Sequence, residues 1–144
     1  MEASHRLVVE GSPDPADLAL LEERVAQAAI DAAGLGGDEE FGIFVRGGDG
    51  RVVAGVSASV WGGCCEIHAL WVDEPLRGGG LARELMTAAE AEARRRGCTF
   101  AHGRAYDLLA PGFYERLGYE TVGVLEGCPA GSTARWHRKE LRSS

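Results

Sequence analysis

The hydrophobic pattern with the clearest period lies between Arg51 and Trp61. One set of positions holds Val52, Ala54, Val56, Ala58 and Val60, and the alternate set holds Val53, Gly55, Ser57, Ser59 and Trp61. A period of two sends successive side chains to opposite faces of a β-strand. A second strand-like run from Phe41 to Arg46 precedes it, and the glycines of the Gly-Gly-Asp-Gly segment between them tolerate the positive φ angles of a turn. We therefore predict a β-hairpin over these two runs.

The N-terminal part of the chain predicts a strand and then a helix. Leu7 to Val9 form a short apolar run that ends at a Gly-Ser-Pro loop, which favours a first strand. From Ala16 the apolar residues recur at steps of three and four, as a helix requires: Leu18, Leu21, Val25, Ala28 and Ala32. The candidate caps are Asp14 or Asp17 at the start and Gly34 at the end.

A further strand is predicted from Cys65 to Val72, and after Pro75 the period changes to that of a helix. From Gly80 one face carries Ala82, Leu85, Met86, Ala89 and Ala93, and the other carries Arg83, Thr87, Glu90 and Arg94. Arg94 to Arg96 suit the carbonyl end of the helix dipole, and Gly97 supplies the stop. The sequence therefore predicts an amphipathic helix.

The C-terminal part predicts three strands and one short helix. The strands run over Thr99 to Ala105, Tyr119 to Leu125 and Ala134 to Leu141, and the helix over Pro111 to Leu117. No repeat or linker interrupts the chain, and 144 residues fit one domain. We therefore predict a single domain, residues 1–144, of mixed α/β type.

Composition excludes several classes of protein. Hydrophobic residues make up 45% and charged residues 26%, and no apolar run approaches the ~18 residues of a membrane span. Neither a membrane segment nor a hydrophobic signal segment is predicted, so we expect no membrane partner. The formal charge of −7 disfavours a nucleic acid as partner and mildly attracts cationic small molecules.

The cysteines point to a reducing compartment. Cys64, Cys65, Cys98 and Cys128 include a vicinal pair but no C-x-x-C motif, so neither a zinc site nor a redox pair is predicted. We expect a cytoplasmic protein without a bound metal.

A glycine-rich turn is the strongest chemical signal. Arg77-Gly78-Gly79-Gly80-Leu81-Ala82 lies between a predicted strand and a predicted helix, where backbone N–H groups free of neighbouring Cβ atoms can converge on an anion such as phosphate. The G-x-x-x-x-G-K-[ST] loop lacks its Lys and Ser/Thr here, and the dinucleotide fingerprint lacks its third glycine. Both nucleotide-binding alternatives are disfavoured.

The same segment resembles the GCN5-related N-acetyltransferase (GNAT) family, whose signature is [RQ]-x-x-G-x-[GA]. Arg77, Gly80 and Ala82 occupy its three specified positions. A second family signature, A-x-x-F-Y-E-[KR]-x-G-[FY], is matched by Ala110, Phe113, Tyr114, Glu115, Arg116, Gly118 and Tyr119. The two motifs together extend the resemblance over nearly the whole chain.

The resemblance implies a fold and a cosubstrate. The fold is a mixed, mostly antiparallel sheet flanked by about three to four helices, with two central strands that splay apart to admit acetyl-CoA. The implied pantetheine contacts are the backbone of Leu70, Trp71 and Val72, and the implied pyrophosphate contacts are Arg77, Gly78, Gly79, Gly80, Leu81 and Ala82. Asp107 stands where many relatives have an asparagine that touches the pantetheine region.

Acetyl transfer needs a base for the amine, a donor for the developing charge on the carbonyl oxygen and an acid for the leaving thiolate. Glu66 has the spacing to Arg77 that the base has in some protein-acetylating relatives, and His68 should share its strand face as rival or partner. Tyr114 matches the family's proton-donating tyrosine, and the N–H of Leu70 is a candidate for the carbonyl oxygen. Whether Glu66, His68 or water is the base stays open.

The acceptor is less defined. Trp61, Trp71 and Trp136 suit either a pocket wall or, more simply, the core. Arg104 and His102 lie on the strand before Tyr114, and an Arg104 that faces the cleft implies an acceptor with a carboxylate or phosphate. We predict a small-molecule amine as acceptor, with a protein lysine or N-terminal amine as the alternative acceptor. The alternative function is a sensor that binds acyl-CoA without transferring the acyl group. The protein could also form a homodimer.

Overall fold

A computed structural model describes residues 5–141, and this part of the chain divides into two compact units. The first ends at Gly37 and contains one helix, α1 (Pro15–Ala33). Its cap is Asp14, whose carboxylate accepts the Ala16 N–H at 2.9 Å, and it ends at Gly34 with a left-handed φ of 69°. Both boundaries follow the sequence prediction.

The strand predicted over Leu7 to Val9 is wrong. These residues form no regular element, and Leu7 and Val9 are each 97% exposed. A three-residue apolar run forms a strand only when a neighbouring strand satisfies its N–H and C=O groups. No strand pairs with it in the described part of the chain.

The second unit begins at Asp38 and is built on a six-stranded sheet. Its strands are β1 (Glu39–Arg46), β2 (Val52–Trp61), β3 (Cys64–Val72), β4 (Phe100–Tyr106), β5 (Glu120–Glu126) and β6 (Thr133–Glu140). They lie in the order β1-β2-β3-β4-β6-β5, and every neighbouring pair is antiparallel except β3 and β4. The helices are α2 (Leu81–Arg95) and α3 (Phe113–Arg116), and a 3₁₀ turn covers Glu74–Leu76. The predicted α/β class and mostly antiparallel sheet are confirmed.

The core lies between α2 and one face of the sheet, which we call the α2 face. The alternation predicted for β2 holds, since its Ala54, Val56 and Ala58 are at most 1% exposed. Residues from β3 and α2 complete the cluster: Cys65, Ile67, Leu85, Met86, Ala89 and Ala93. The other set of strand side chains points to the opposite face, which we call the polar face.

Glu90 corrects the helix prediction, because it lies on the buried side of α2 rather than on the face of Arg83, Thr87 and Arg94. It is 5% exposed, its carboxylate accepts the Tyr119 hydroxyl at 2.9 Å, and it pairs with the Lys139 ammonium at 2.8 Å. Position 90 lies four residues after Met86 and three before Ala93, so it belongs to the buried stripe by spacing. A buried carboxylate is tolerated because both partners reach it.

The two parallel strands separate at one end. Their ladder has four pairs and ends at Ile67 and Gly103. Both strands continue beyond that point, β3 to Val72 and β4 to Tyr106, without pairing to each other. This opening, which we call the gap, has the splayed form that the sequence resemblance implies.

Candidate active site

The glycine turn forms an uncapped helix N-terminus. Gly78 and Gly80 both have a φ of 85°, a left-handed conformation that favours glycine. Gly80 is the N-cap of α2, and no side chain of the described residues accepts the N–H groups of the first turn. These N–H groups and the positive end of the helix dipole can therefore hold a phosphate anion. The turn thus fits the pyrophosphate of CoA, and the predicted contacts of residues 77–82 stay a prediction.

Arg77 connects this turn to the end of β3. Its Nε donates to the Val72 carbonyl at 2.9 Å, and its guanidinium lies 4.8 Å from the centre of the Trp71 ring. The Trp71 indole in turn donates to Asp73 at 2.8 Å. Arg77 therefore fixes the position of the turn relative to the strand, a role that sequence reasoning did not assign to it.

The gap-facing edge of β3 carries the residues predicted to bind pantetheine. Leu70, Trp71 and Val72 pair with β2 on one side, and they lie beyond the last pair with β4 on the other. Backbone groups on that second side have no strand partner within residues 5–141. An extended amide-bearing arm can hydrogen-bond there as an added strand does. The predicted contacts themselves stay a prediction.

A polar cluster lies on the polar face where the gap begins. Ser59 Oγ and His68 Nε2 are 2.7 Å apart, and His68 Nδ1 lies 3.7 Å from a Glu66 carboxylate oxygen. The Glu66 and His68 side chains are 41% and 44% exposed, so both are accessible. The structure thus brings together the two base candidates on one face, as predicted.

A β-bulge produces this arrangement. Ala58 pairs with Ile67 and Ser57 with Ala69, which leaves His68 as the extra residue of β3. A bulge re-aims a side chain and often lies beside an active site. Ser59 was missed in the sequence, because its partnership with His68 depends on the register of β2 against β3.

His102 and Trp136 extend the cluster across β4 and β6. His102 pairs in register with Glu66, and the Trp136 indole N–H donates to His102 Nδ1 at 3.0 Å. Burial lowers the pKa of His102, although nearby Glu66 opposes this effect. Because an indole only donates, Nδ1 must be an acceptor, so neutral His102 carries its proton on Nε2. His102 is therefore a hydrogen-bond donor and not a base.

Tyr114 lies on the α2 side of the sheet. Its ring packs edge-on against Phe113 and Tyr119, with centroids 5.2 and 5.4 Å away, and stacks on His137 at 5.1 Å. Burial raises the pKa of its phenol, which therefore stays protonated at neutral pH. The hydroxyl has no hydrogen-bond partner among the described residues. No contact joins it to Glu66 or His68 within residues 5–141.

Asp107 is paired within the protein. Both of its carboxylate oxygens accept from Arg135 Nε, at 2.9 and 3.1 Å. This pair connects the end of β4 to β6. The predicted contact of Asp107 with pantetheine stays a prediction.

The tryptophans are more exposed than the core residues that the sequence predicted. Trp71 is 59% exposed and Trp136 is 37% exposed, so the core interpretation is wrong for both. Trp61 is half-buried. Each exposed ring is anchored by its indole N–H, to Asp73 and His102 respectively. The apolar ring thus remains available while its polar atom is satisfied.

The described residues contain neither a candidate metal site nor a candidate membrane-spanning helix. No group of three or more His, Cys, Asp or Glu side chains within residues 5–141 is placed to hold a metal ion. No helix in the same range is long and apolar enough to cross a membrane.

Comparison with known proteins agrees with this geometry. The sequence profile of the Acetyltransferase (GNAT) family matches residues 10–119. A blasticidin-S acetyltransferase of Streptomyces morookaense is 35% identical over 104 residues, which are 72% of this chain and 76% of that protein. An acetyltransferase of Agrobacterium fabrum is 32% identical over 102 residues, covering 71% and 74%.

Solved structures show the same fold. A provisionally assigned acetyltransferase from Agrobacterium tumefaciens superposes with a TM-score of 0.86 at 26% identity, covering 94% of this chain and 99% of that one. An acetyltransferase from Bacillus cereus gives 0.77 at 25% identity, covering 94% and 97%. The chain therefore belongs to the GNAT family and is an acetyltransferase, a class of enzyme that uses acetyl-CoA.

Proposed function

We propose that this protein, as a single domain of residues 1–144, transfers the acetyl group of acetyl-CoA to a primary amine of a small molecule. The observation that carries the proposal is the Ser59–His68–Glu66 cluster at the start of the gap. The relative from Streptomyces morookaense is named for acetylating blasticidin S, which supports a small molecule as acceptor.

The base in this proposal is the Glu66–His68 pair. An alkyl amine has a pKa of roughly 10.4 and is mostly protonated at neutral pH, so a proton must be removed before attack. With Glu66 on the Nδ1 side, the Nδ1–H tautomer of His68 is favoured, and its Nε2 accepts the Ser59 hydroxyl proton. His68 can then receive the amine proton directly or through Ser59, and the Glu66 carboxylate stabilises the imidazolium that forms.

The proton donor is Tyr114, from the opposite side of the sheet. The amine attacks the thioester carbon from the polar face, the C–N bond forms, and the C–S bond breaks. Tyr114 gives its proton to the departing sulfur, and bulk water restores it. A backbone N–H at Leu70, on the unpaired edge of β3, is the candidate donor to the carbonyl oxygen. Positioning both substrates in one gap supplies a further part of the rate.

We also propose that the reaction takes place in the cytoplasm. The four cysteines, all described, are free thiols, which suits a reducing compartment.

The test is product formation. The protein is incubated with acetyl-CoA and a panel of primary amines that includes a lysine peptide, and both free thiol and acetylated product are measured. We expect one equivalent of thiol for each acetylated small amine. Thiol release without acetylated amine would contradict transfer, and product confined to the peptide would replace the small-molecule acceptor by a protein.

A further inference from the structure

We propose that a pocket beside the polar cluster binds the acceptor, and that this acceptor is a primary amine carrying a carboxylate on an apolar or aromatic body. The inference rests on the proposed function and names the substrate class of the same site.

The pocket lies on the polar face, between β4, β6 and β5. Its volume is about 300 Å³, at the lower end of small-molecule sites. The residues of its lining that matter here are Arg104, Tyr106, Val124, Leu125, Arg135 and Trp136. A ligand of roughly the size of a substituted benzene fits such a volume.

The pocket begins next to the proposed base. Trp136 forms part of its wall and donates to His102, which pairs in register with Glu66. Arg104 follows His102 by two residues on β4, so it lies on the same face about 7 Å further along the strand. Arg104 and Tyr106 also belong to the part of β4 that borders the gap. A ligand in the pocket can therefore place its amine at the cluster and its other end at Arg104.

The charges of the lining select an anion. None of the lining residues is acidic. Arg135 is already neutralised by Asp107, whereas Arg104 forms no ion pair with any residue in the range 5–141. The Arg104 guanidinium lies 5.3 Å from the centre of the Tyr106 ring, which orients it without neutralising it. Carboxylates and phosphates are the anions that a guanidinium binds in a bidentate manner. We take the carboxylate, which is the smaller of the two, because the pocket volume is only about 300 Å³.

The remaining walls select an apolar body. Leu125, which pairs with Ala134 in register on the polar face, is 60% exposed, and the anchored Trp136 ring faces the same pocket. Apolar contact with these side chains holds the ligand between its two charged ends. The overall charge of −7 attracts the ammonium end, so a zwitterionic amine suits both the chain and the pocket.

The experiment compares three primary amines with acetyl-CoA: 4-(aminomethyl)benzoate, its carboxamide analogue and benzylamine. All three share the aminomethyl-benzene framework and differ only in the para substituent. We expect kcat/KM for the carboxylate to exceed that for the carboxamide by about tenfold or more, mostly through a lower KM. Arg104→Met should remove this preference, and Arg104→Lys should restore part of it.

Arg51→Met is the matched control, since it removes the same charge at an exposed position of the β1–β2 turn. It should leave the preference intact. Equal kcat/KM for carboxylate and carboxamide, or an Arg104→Met preference like that of the wild type, overturns the inference while amine acetylation stands. If none of the three amines nor any other amine is acetylated, the proposed function itself fails.

Discussion

The same strands form both faces of the sheet, but the α2 face carries the core and the polar face carries the polar cluster. On the α2 face, Val56 and Ile67 are buried, and Glu90, a buried acid that α2 contributes to this core, is fully paired. On the polar face, Glu66 and His68 stay accessible and interact over 3.7 Å. Because side chains alternate along a strand, one sequence segment contributes to the core and to the proposed active site at once. Stability and activity should therefore separate when residues of opposite faces are changed.

The largest effect should come from the polar face. Glu66→Gln removes the carboxylate that stabilises protonated His68, so we expect kcat to fall by roughly 10²- to 10⁴-fold, the usual contribution of a general base. Steady-state kinetics against pH measures this. The loss should shrink as pH approaches the amine pKa, because the amine then deprotonates without help.

Glu40→Gln is the control for this change. Glu40 pairs in register with Ser59 from the neighbouring strand β1, so this variant loses the same charge on the same face, where the described part of the chain shows no contact of Glu40 with Glu66 or His68. Its kcat should stay within about twofold of the wild type. A Glu66→Gln enzyme with full activity at neutral pH would remove Glu66 from the mechanism.

The next largest effect belongs to the α2 face. Glu90→Ala leaves the Lys139 ammonium and the Tyr119 hydroxyl without their partner, so the free energy of unfolding should fall by about 2 to 3 kcal/mol. Urea denaturation measures it. Glu66→Gln, by comparison, should change stability by no more than about 0.5 kcal/mol. Equal losses of stability in the two variants would contradict the claim that the α2 face determines stability and the polar face does not.

Tyr114 tests whether the α2 side also takes part in the chemistry. Tyr114→Phe keeps the ring that packs against Tyr119 and His137 but removes the proton, so kcat should fall by roughly 10- to 100-fold. The dissociation constant for acetyl-CoA, measured by calorimetry, should change by less than about twofold. If binding weakens as much as turnover slows, the tyrosine serves the binding of acetyl-CoA rather than protonation of the thiolate.

A smaller effect, on the affinity for acetyl-CoA, should distinguish substitution of Gly80 from substitution of Gly79. Gly80 has a φ of 85°, so Gly80→Ala strains the backbone and re-aims the first N–H groups of α2. The dissociation constant for acetyl-CoA should rise about tenfold. Gly79 lies outside the left-handed region and a Cβ there meets no atom within 4 Å. Gly79→Ala should therefore bind acetyl-CoA within about twofold of the wild type, and a similar loss in both variants would contradict an orientation effect.

The smallest effect is a pH dependence of stability. Burial is the main cause that lowers the pKa of His102 and of His137 in the folded protein. The unfolded chain therefore binds more protons as pH falls below about 6.5, and the free energy of unfolding should decrease between about pH 7 and about pH 5. Denaturation of the wild type, His102→Asn and His137→Asn at these pH values measures this, and each variant should show a shallower decrease. Unchanged slopes in both variants would assign the pH dependence to other groups.

Local patterns predicted most of the elements. The alternation of β2 and the caps of α1 were read correctly because each depends on residues within a few positions of one another. The strand at Leu7 to Val9 failed because a strand also needs a partner. Glu90 was misplaced, although its spacing fits the buried stripe of α2, because the partners that make its burial tolerable, Tyr119 and Lys139, come from other parts of the chain.

For the site, the sequence motifs identified the glycine turn and Tyr114, and the spacing from Arg77 selected Glu66. The sequence did not identify Ser59, because its contact with His68 depends on the bulge at His68 and on the register of β2 against β3. Nor did it identify the pairing of Trp136 with His102, which depends on β6 inserting between β4 and β5.

The sequence alone thus determined the strand and helix periods, the glycine turn and the family, because these are properties of neighbouring residues and short motifs. The tertiary structure decided which polar side chains meet on the polar face, and that Trp136 occupies the accepting Nδ1 of His102 and leaves the His102 proton on Nε2. It also decided that Arg104 is the cation without an ion pair among the described lining residues of its pocket. These features depend on strand order, register and one bulge. Such features arise from the packing of distant segments, which no local pattern encodes.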